Sequence, residues 1–196
     1  MYRFMETYLD IPVMTFGTGA AWEDWLKENH TLQTGIWMKI PRKHTGIPSV
    51  SLTDALDTCL CYGWIDGQRR SHDEQYFLQK YTPRRPRSLW SKVNIDKVQA
   101  LTTAGRMRPP GLQAVAKAQA DGRWDTAYES QKNAVMPPDL EAALGQNTKA
   151  KTFYETLNRA ERYSVLWRLM TAKTAETRTA RLDKMLKTLA SEKRIS

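Results

Sequence analysis

Pro83 and Pro86 separate two kinds of sequence pattern, and this division constrains the fold more than any other feature. Up to the prolines, short alternating apolar segments are mixed with segments of helical spacing. Beyond Asn94 only helical spacing remains. Because proline cannot donate to a β-ladder, the last strand must end near Pro83. The order predicts an α+β chain, with a small antiparallel or mixed sheet and packed helices over 1–130 and a helical module over 135–196.

Apolar spacing predicts the elements of the first part, with Thr18 and Ser51 as the caps of its two helices. In chain order the predicted elements are Val13–Phe16, a helix from Thr18 to Asn29, a half-buried strand Gly35–Ile40, a helix Ser51–Gly63, and the antiparallel strands Trp64–Gln68 and Gln75–Tyr81. Alternation in the last strand places Leu78 and Lys80 on one face. That face therefore needs water or a partner for the Lys80 ammonium.

The second part is predicted to be helical throughout, with a polar linker at 129–135. The first predicted helix is capped by Asn94 and buries Ile95, Val98 and Leu101, and the second starts at Pro109 and buries Leu112, Val115 and Ala116. A short helical piece with Trp124 and Tyr128, a helix from Pro137 to Gly145 and a helix capped by Asn147 follow. The last two helices are predicted at 160–172, burying Tyr163, Leu166, Trp167 and Met170, and at 174–193.

Composition narrows the class of protein. The apolar fraction is 41%, which is typical of a globular chain. The opening Met1–Phe4 soon meets Glu6 and Asp10, so we expect neither a signal peptide nor a membrane span, and a cytoplasmic location. Cys59 and Cys61 are the two cysteines, too few for a disulfide framework, and we expect a reduced structural pair and no metal.

The net charge of +9 is concentrated in two segments, 64–92 and 174–194. A basic surface attracts anionic partners over long distances. The charge alone leaves three partners open, namely an anionic small molecule, an acidic protein or a nucleic acid, and the chain offers no membrane-binding pattern.

Several motifs along the chain are distinctive. They are Trp22–Leu26 with Asn29 and His30, the run Cys61–Gly67 containing GWIDG, Thr82–Ser88, Gly105–Leu112, Asp121–Tyr128, Pro137–Leu144 and Ala172–Arg181. These motifs resemble the YdeI/OmpD-associated family, and the similarity spans roughly residues 12 to 190. It implies a bacterial protein with a C-terminal helical module of that family, acting in stress or bacteriocin protection, and it implies no established reaction.

One segment and one helix supply the candidate ligand-binding residues. Guanidinium groups on a proline-stiffened turn suit phosphate or carboxylate, and aromatic rings could stack on a ligand. The candidates are Trp64, Asp66, Arg69, Tyr81, Arg84, Arg85, Arg87, Trp90, Lys173 and Arg178. The alternative is structural: the rings form core, Asp66 pairs with Arg69 or Arg70, and Arg178 pairs with an acid such as Asp139.

Catalysis has no clear signature in the sequence. His30, His44 and His72 are scattered and none has a second ligand or acid–base partner at a useful spacing. No catalytic residue and no cofactor is predicted. The leading hypothesis is binding of an anionic small ligand or partner, followed by nucleic-acid binding through the two basic segments, and then by an enzyme acting on a small anion.

Overall fold

The computed structural model describes residues 6–195, so Met1–Phe4 lies outside the described residues. The described chain forms two compact units. The first takes the chain up to Ser88 together with Asn94–Asp125, and the second takes Leu89–Val93 and the chain from Thr126. The predicted α+β class is confirmed.

A mixed sheet of five strands forms the centre of the first unit, in the order β1-β2-β3-β5-β4. The strands are β1 (Thr7–Tyr8), β2 (Ile11–Met14), β3 (Ile36–Pro41), β4 (Trp64–Ser71) and β5 (Tyr76–Pro83). Strands β2 and β3 run parallel, and the other neighbours are antiparallel. The predicted β4–β5 hairpin is confirmed, although β4 continues to Ser71 and β2 starts two residues earlier than predicted.

Both faces of the central strand β3 are covered, so the prediction of a half-buried strand is wrong. Ile36 and Met38 are buried, and so is Trp37 on the opposite face. Trp37 packs with Val13 and Leu78 in a small second core. The Lys80 ammonium lies 5.6 Å from the centre of the Trp37 ring, which gives this charge the partner that the alternation required.

Within residues 6–195, four helices accompany the sheet. They are α1 (Gly19–Asn29), α2 (Leu52–Cys61), α3 (Lys92–Thr103) and α4 (Pro109–Ala120). The predicted caps are confirmed, because the Thr18 and Ser51 hydroxyls accept from the N–H groups of Ala21 and Asp54. Asn94 is not a cap, since α3 begins two residues before it.

The buried face of α4 differs from the prediction. Leu112 is 47% exposed, whereas Gly111 and Ala118 are buried. A Cβ atom at Gly111 would lie 2.2 Å from the carbonyl oxygen of Cys61. The helix therefore approaches α2 through its glycine, and bulky apolar residues cannot occupy that contact.

An aromatic cluster forms the core between helix α1 and the sheet. The rings of Trp22 and Trp25 stack at 5.4 Å, and Trp64 meets both edge-on. Tyr81 of β5 lies 5.7 Å from Trp22. The rings of Trp64 and Tyr81 are thus part of the core, which is the structural alternative to a ligand-binding role.

Four helices form the second unit, namely α5 (Pro138–Gly145), α6 (Thr148–Thr156), α7 (Arg159–Met170) and α8 (Ala175–Ala190). Asn147, Asn158 and Thr174 cap the last three. The core is apolar and contains Leu140, Leu144, Val165, Leu169 and Leu189. Trp167 is 37% exposed, so its predicted burial is wrong, and Val165 and Leu169 take the inward positions. Between residues 6 and 195 no helix is long and apolar enough to cross a bilayer.

Candidate anion-binding site

The middle of strand β4 in the β4–β5 hairpin is shaped by an irregularity in the strand register. Pairing shifts between Asp66 and Arg69, which leaves Gly67 and Gln68 out of the ladder. The buried Gln79 amide fills the gap, because its nitrogen donates to the carbonyl oxygen of Gly67 at 2.9 Å. Its oxygen accepts from Arg69 Nε at 3.0 Å. The bulge thus fixes the direction of the Arg69 guanidinium.

Beside this hairpin lies a groove of about 550 Å³, which we call the basic groove. Its lining residues are Arg42, Lys43, His44, Arg69, Arg70, Ser71 and Phe77. They come from the residue that follows β3, from the turn after it, and from both strands of the hairpin. None of these seven residues is acidic, so the groove collects positive charge without an internal counter-charge.

Two of the arginines are held in place by hydrogen bonds that leave part of each guanidinium available. Arg42 donates from Nη2 to the Ser71 hydroxyl at 2.9 Å and from Nε to the Asp73 carbonyl at 3.3 Å. The Arg69 guanidinium carbon lies 4.7 Å from the centre of the Phe77 ring. Fixed guanidinium groups lose little entropy when they bind a ligand.

Lys43 and His44 lie on a short 3₁₀ turn, Lys43–Thr45, that follows β3. The Thr45 hydroxyl and N–H both donate to the Arg42 carbonyl, at 2.8 and 3.0 Å. Gly46 ends the turn with a φ of 66°, a conformation that favours glycine. The side chains of Lys43 and His44 are both exposed.

Two carboxylates near the turn of the hairpin, Glu6 and Asp73, have other partners. Glu6 lies 3.5 Å from the Lys39 ammonium and 3.3 Å from His72. Desolvation acts to raise the pKa of Asp73, but the N–H groups of Gln75 and Tyr76 outweigh it and hold that pKa below its usual range. Among residues 6–195, no carboxylate lies within ion-pair distance of Arg42, Lys43, Arg69 or Arg70.

Two of the aromatic residues that the sequence suggests as ligand-binding candidates lie in the core of the first unit. Trp64 and Tyr81 are buried, and the Trp64 Nε1 donates to the His30 carbonyl at 2.7 Å. Their rings present no face to a ligand, and burial raises the pKa of Tyr81. Of the ten candidate residues that the sequence suggests, only Arg69 lines the basic groove.

Asp66 lies on β4 opposite Tyr81. The residue is exposed overall, yet its carboxyl is close enough to Cys59 and Tyr81 to disfavour their ionisation. Burial of that carboxyl raises the pKa of Asp66, and Arg84 and Arg69 act in the opposite direction. Its charged neighbours are thus Arg84 and Arg69, and not Arg70 as the structural alternative allowed.

The arginine turn after β5 is a tight, hydrogen-bonded loop. Arg84 is half-buried and its N–H donates to the Gly63 carbonyl at 2.9 Å. The Arg85 N–H donates to the Ser88 hydroxyl at 3.0 Å, and the Ser88 N–H donates back to the Arg85 carbonyl. Arg85 and Arg87 are exposed, and neither lines the basic groove.

Three candidates belong to the second unit. Trp90 is buried and Lys173 is exposed. Arg178 donates from Nε and Nη2 to the two Asp139 carboxylate oxygens at 2.7 and 2.9 Å, and from Nη1 to the Leu169 carbonyl at 2.9 Å. Three of the five guanidinium N–H groups of Arg178 are therefore used within the second unit. Arg178 thus pairs with Asp139 inside the second unit, and it remains a predicted binding residue only through its remaining N–H groups.

Sequence reasoning missed six of the seven lining residues, namely Arg42, Lys43, His44, Arg70, Ser71 and Phe77. The basic run Arg42–His44 directly follows a predicted strand, and that was the available signal. It lies far from Arg69 in the sequence, and the strand order β3-β5-β4 is what brings the two together.

Other chemistry has little support in the described residues. Cys59 and Cys61 are buried free thiols, and burial raises the pKa of both. Between residues 6 and 195 no group of three histidine, cysteine or acidic side chains is arranged to hold a metal ion.

Comparison with known proteins gives two family matches. Residues 14–114, about half of the chain, match the family model described as a domain of unknown function, DUF8412. Residues 133–192 match the model described as Bacteriocin-protection, YdeI or OmpD-Associated. The resemblance stated from the motifs is confirmed for the C-terminal part, whereas the N-terminal part matches a different model. Neither a curated protein nor a solved structure matches the chain.

Proposed function

The chain belongs to the DUF8412 family of domains of unknown function, and we propose that it binds a small anionic ligand in the basic groove of its first unit. The observation that carries this proposal is the set of four cations around one groove, Arg42, Lys43, Arg69 and Arg70, with no carboxylate of the described residues within ion-pair distance of them. Like charges that are close together repel, so an external anion relieves the unfavourable interaction between them.

The ligand class follows from the geometry of the lining. Planar guanidinium forks bind phosphate and carboxylate oxygens, and charge-assisted hydrogen bonds are the stronger ones. The groove volume of about 550 Å³ falls in the range of small-molecule sites. The Phe77 ring on the groove wall already stacks with Arg69, which leaves the charged groups as the main contacts.

Calorimetric titration with inorganic pyrophosphate and with citrate tests this proposal. Charge-assisted hydrogen bonds are worth about 1.5–3 kcal/mol, so Lys43→Ala and Arg69→Gln should each weaken binding about tenfold or more at low salt. Lys117→Ala removes an exposed charge from α4, outside the groove, and is the matched control.

The control is expected to change the affinity less than twofold. Equal losses in the control and the groove variants would show a general charge effect and would refute the groove as the site. Pyrophosphate binding without citrate binding would identify the ligand as a phosphate compound, and the reverse would identify it as a carboxylate.

We propose further that this binding serves bacteriocin protection, a role supported by the C-terminal family match at 133–192. Expression of the chain in a bacteriocin-sensitive bacterium should then raise the concentration of bacteriocin that is needed to kill the cells. The Lys43→Ala/Arg69→Gln variant should not raise it at equal protein level. Protection that is unchanged by this variant would separate the groove from the biological role.

A further inference from the structure

We infer that a cavity in the second unit binds an amphipathic organic anion, meaning a ligand with an aromatic or aliphatic body and one carboxylate or sulfonate group. This site is independent of the basic groove. Its volume is about 470 Å³, which suits a small organic ligand.

The floor of the cavity is apolar. Tyr154, Leu157 and Leu166 are buried side chains of the core of the second unit, and Met136 packs against the same core. A ligand with an apolar body would remove this surface from water, at a gain of about 25 cal/mol per Å².

The rim of the same cavity is cationic. Lys132, Arg159 and Arg162 line it, and none of its ten lining residues is acidic. The nearby carboxylates have other partners: Glu129 lies 2.7 Å from the Lys92 ammonium, and Glu161 lies 2.9 Å from Arg194 Nε. Within residues 6–195, no carboxylate pairs with the three rim cations.

Two of the rim cations are neighbours on one helix. Arg159 and Arg162 are three residues apart on α7, a spacing at which like charges repel. Arg162 Nη2 donates to the Glu155 carbonyl at 2.6 Å, and its guanidinium carbon lies 5.6 Å from the centre of the Tyr154 ring. Arg159 makes weaker contacts of 3.4 Å to the carbonyls of Gln131 and Lys132. An anion between the two guanidinium groups would relieve their repulsion.

The Tyr154 hydroxyl is a donor suited to that anion. Tyr154 makes no hydrogen bond through its hydroxyl to another described residue, whereas the neighbouring Tyr163 donates to the Glu129 carbonyl at 2.8 Å. Burial raises the pKa of Tyr154, with Arg162 acting against it, so the hydroxyl keeps its proton at neutral pH. The cavity thus combines an apolar floor, one free donor and three cations.

Fluorescence titration of the full chain with a matched pair of probes tests the inference. The pair is 8-anilinonaphthalene-1-sulfonate and N-phenyl-1-naphthylamine, which share the apolar body and differ by the sulfonate. We expect the sulfonate to bind with one-to-one stoichiometry and at least tenfold more tightly than the neutral probe.

Variants locate the binding in the cavity. Arg159→Gln/Arg162→Gln should weaken sulfonate binding at least tenfold and leave neutral-probe binding within twofold. Tyr154→Phe keeps the ring and should weaken sulfonate binding about tenfold, as expected for loss of one hydrogen bond to a charged group. Ala134→Trp places a large ring in the cavity and should abolish binding of both probes.

Two controls make the outcome decisive. Lys149→Ala removes an exposed charge from α6 outside the cavity, and Lys43→Ala removes one from the basic groove. Both should leave sulfonate binding within twofold, so failure of one site is distinguishable from failure of the other. Unchanged sulfonate affinity in the double arginine variant, in a protein with a wild-type melting curve, would overturn the inference.

Discussion

Gln79 acts on the basic groove through Arg69. Its amide holds the β4 bulge from one side and accepts from Arg69 Nε on the other. We predict that Gln79→Leu, which keeps the side-chain size and removes both hydrogen bonds, weakens pyrophosphate binding several-fold. Gln79→Glu can still accept from Arg69 and should retain more of the affinity. Equal affinity in Gln79→Leu and wild type, by calorimetry, would show that Arg69 needs no such positioning.

Asp139 and Arg178 form an ion pair that makes the stability of the second unit depend on pH. The hydrogen bonds and charge of Arg178 hold the pKa of Asp139 below its usual range. A carboxyl group whose pKa is lowered by folding stabilises the folded state at pH values above its unfolded pKa, which is near 4. This stabilisation is lost as the pH falls through the pKa of the folded state.

We therefore predict that Asp139→Asn lowers the free energy of unfolding by about 1–2 kcal/mol at pH 7, a modest value because the pair is partly exposed. Urea unfolding monitored by far-UV circular dichroism measures the difference. At pH 3, below the unfolded pKa, the difference should be smaller, because protonation of Asp139 removes the charge that pairs with Arg178. A difference of the same size at both pH values would contradict the electrostatic origin of the effect.

At the scale of elements, the contact of α4 with α2 depends on Gly111. Because an added Cβ would lie 2.2 Å from the Cys61 carbonyl oxygen, Gly111→Ala must push the helices apart. The expected cost is about 1–3 kcal/mol, typical of overpacking. Gly19→Ala in α1 is the matched control, since its added Cβ meets only Val50 Cγ2 at 3.9 Å. A thermal melt in which Gly111→Ala is as stable as Gly19→Ala would show that this contact can relax without cost.

Helices and strands with strong local signals can be predicted from the sequence. Which of their side chains are buried cannot always be predicted in the same way. Ser51 and Thr18 cap helices through their own hydroxyls, so those boundaries are encoded within a few residues. The burial of Trp37 depends on Val13 and Leu78 from two other strands. The inward face of α4 depends on the Cys61 carbonyl, which no local pattern of apolar residues can indicate.

The candidate site shows the same limit. Arg69 was predicted from its basic and aromatic surroundings, and it does line the groove. Trp64 and Tyr81 were equally conspicuous in the sequence, but large rings gain more from burial in the aromatic core than from exposure. Arg42 joins the site through strand order, which is a property of the whole sheet.

At the scale of the whole molecule, the net charge of +9 makes binding of any anion sensitive to salt. A small ligand held by a few groove cations and a nucleic acid held along the basic segments differ in this dependence. For DNA the slope of log affinity against log salt is about −0.9 per phosphate neutralised, and each arginine removed from the contact reduces it by about one unit.

We predict that the chain does not shift DNA or RNA in a gel at 150 mM salt. A shift that weakens steeply with salt, and whose slope falls in Arg85→Ala/Arg87→Ala, would instead favour nucleic-acid binding through 64–92.

The most direct test of the central claim is a two-dimensional ¹H–¹⁵N NMR titration of the full chain with inorganic pyrophosphate, recording backbone amides and arginine Nε–H groups. The basic groove predicts saturable shifts of one affinity at Arg42–Thr45, Arg69–Ser71 and Phe77, including the Nε–H signals of Arg42 and Arg69. Saturable shifts confined to Arg84–Ser88, or no saturable shifts at all, would contradict it.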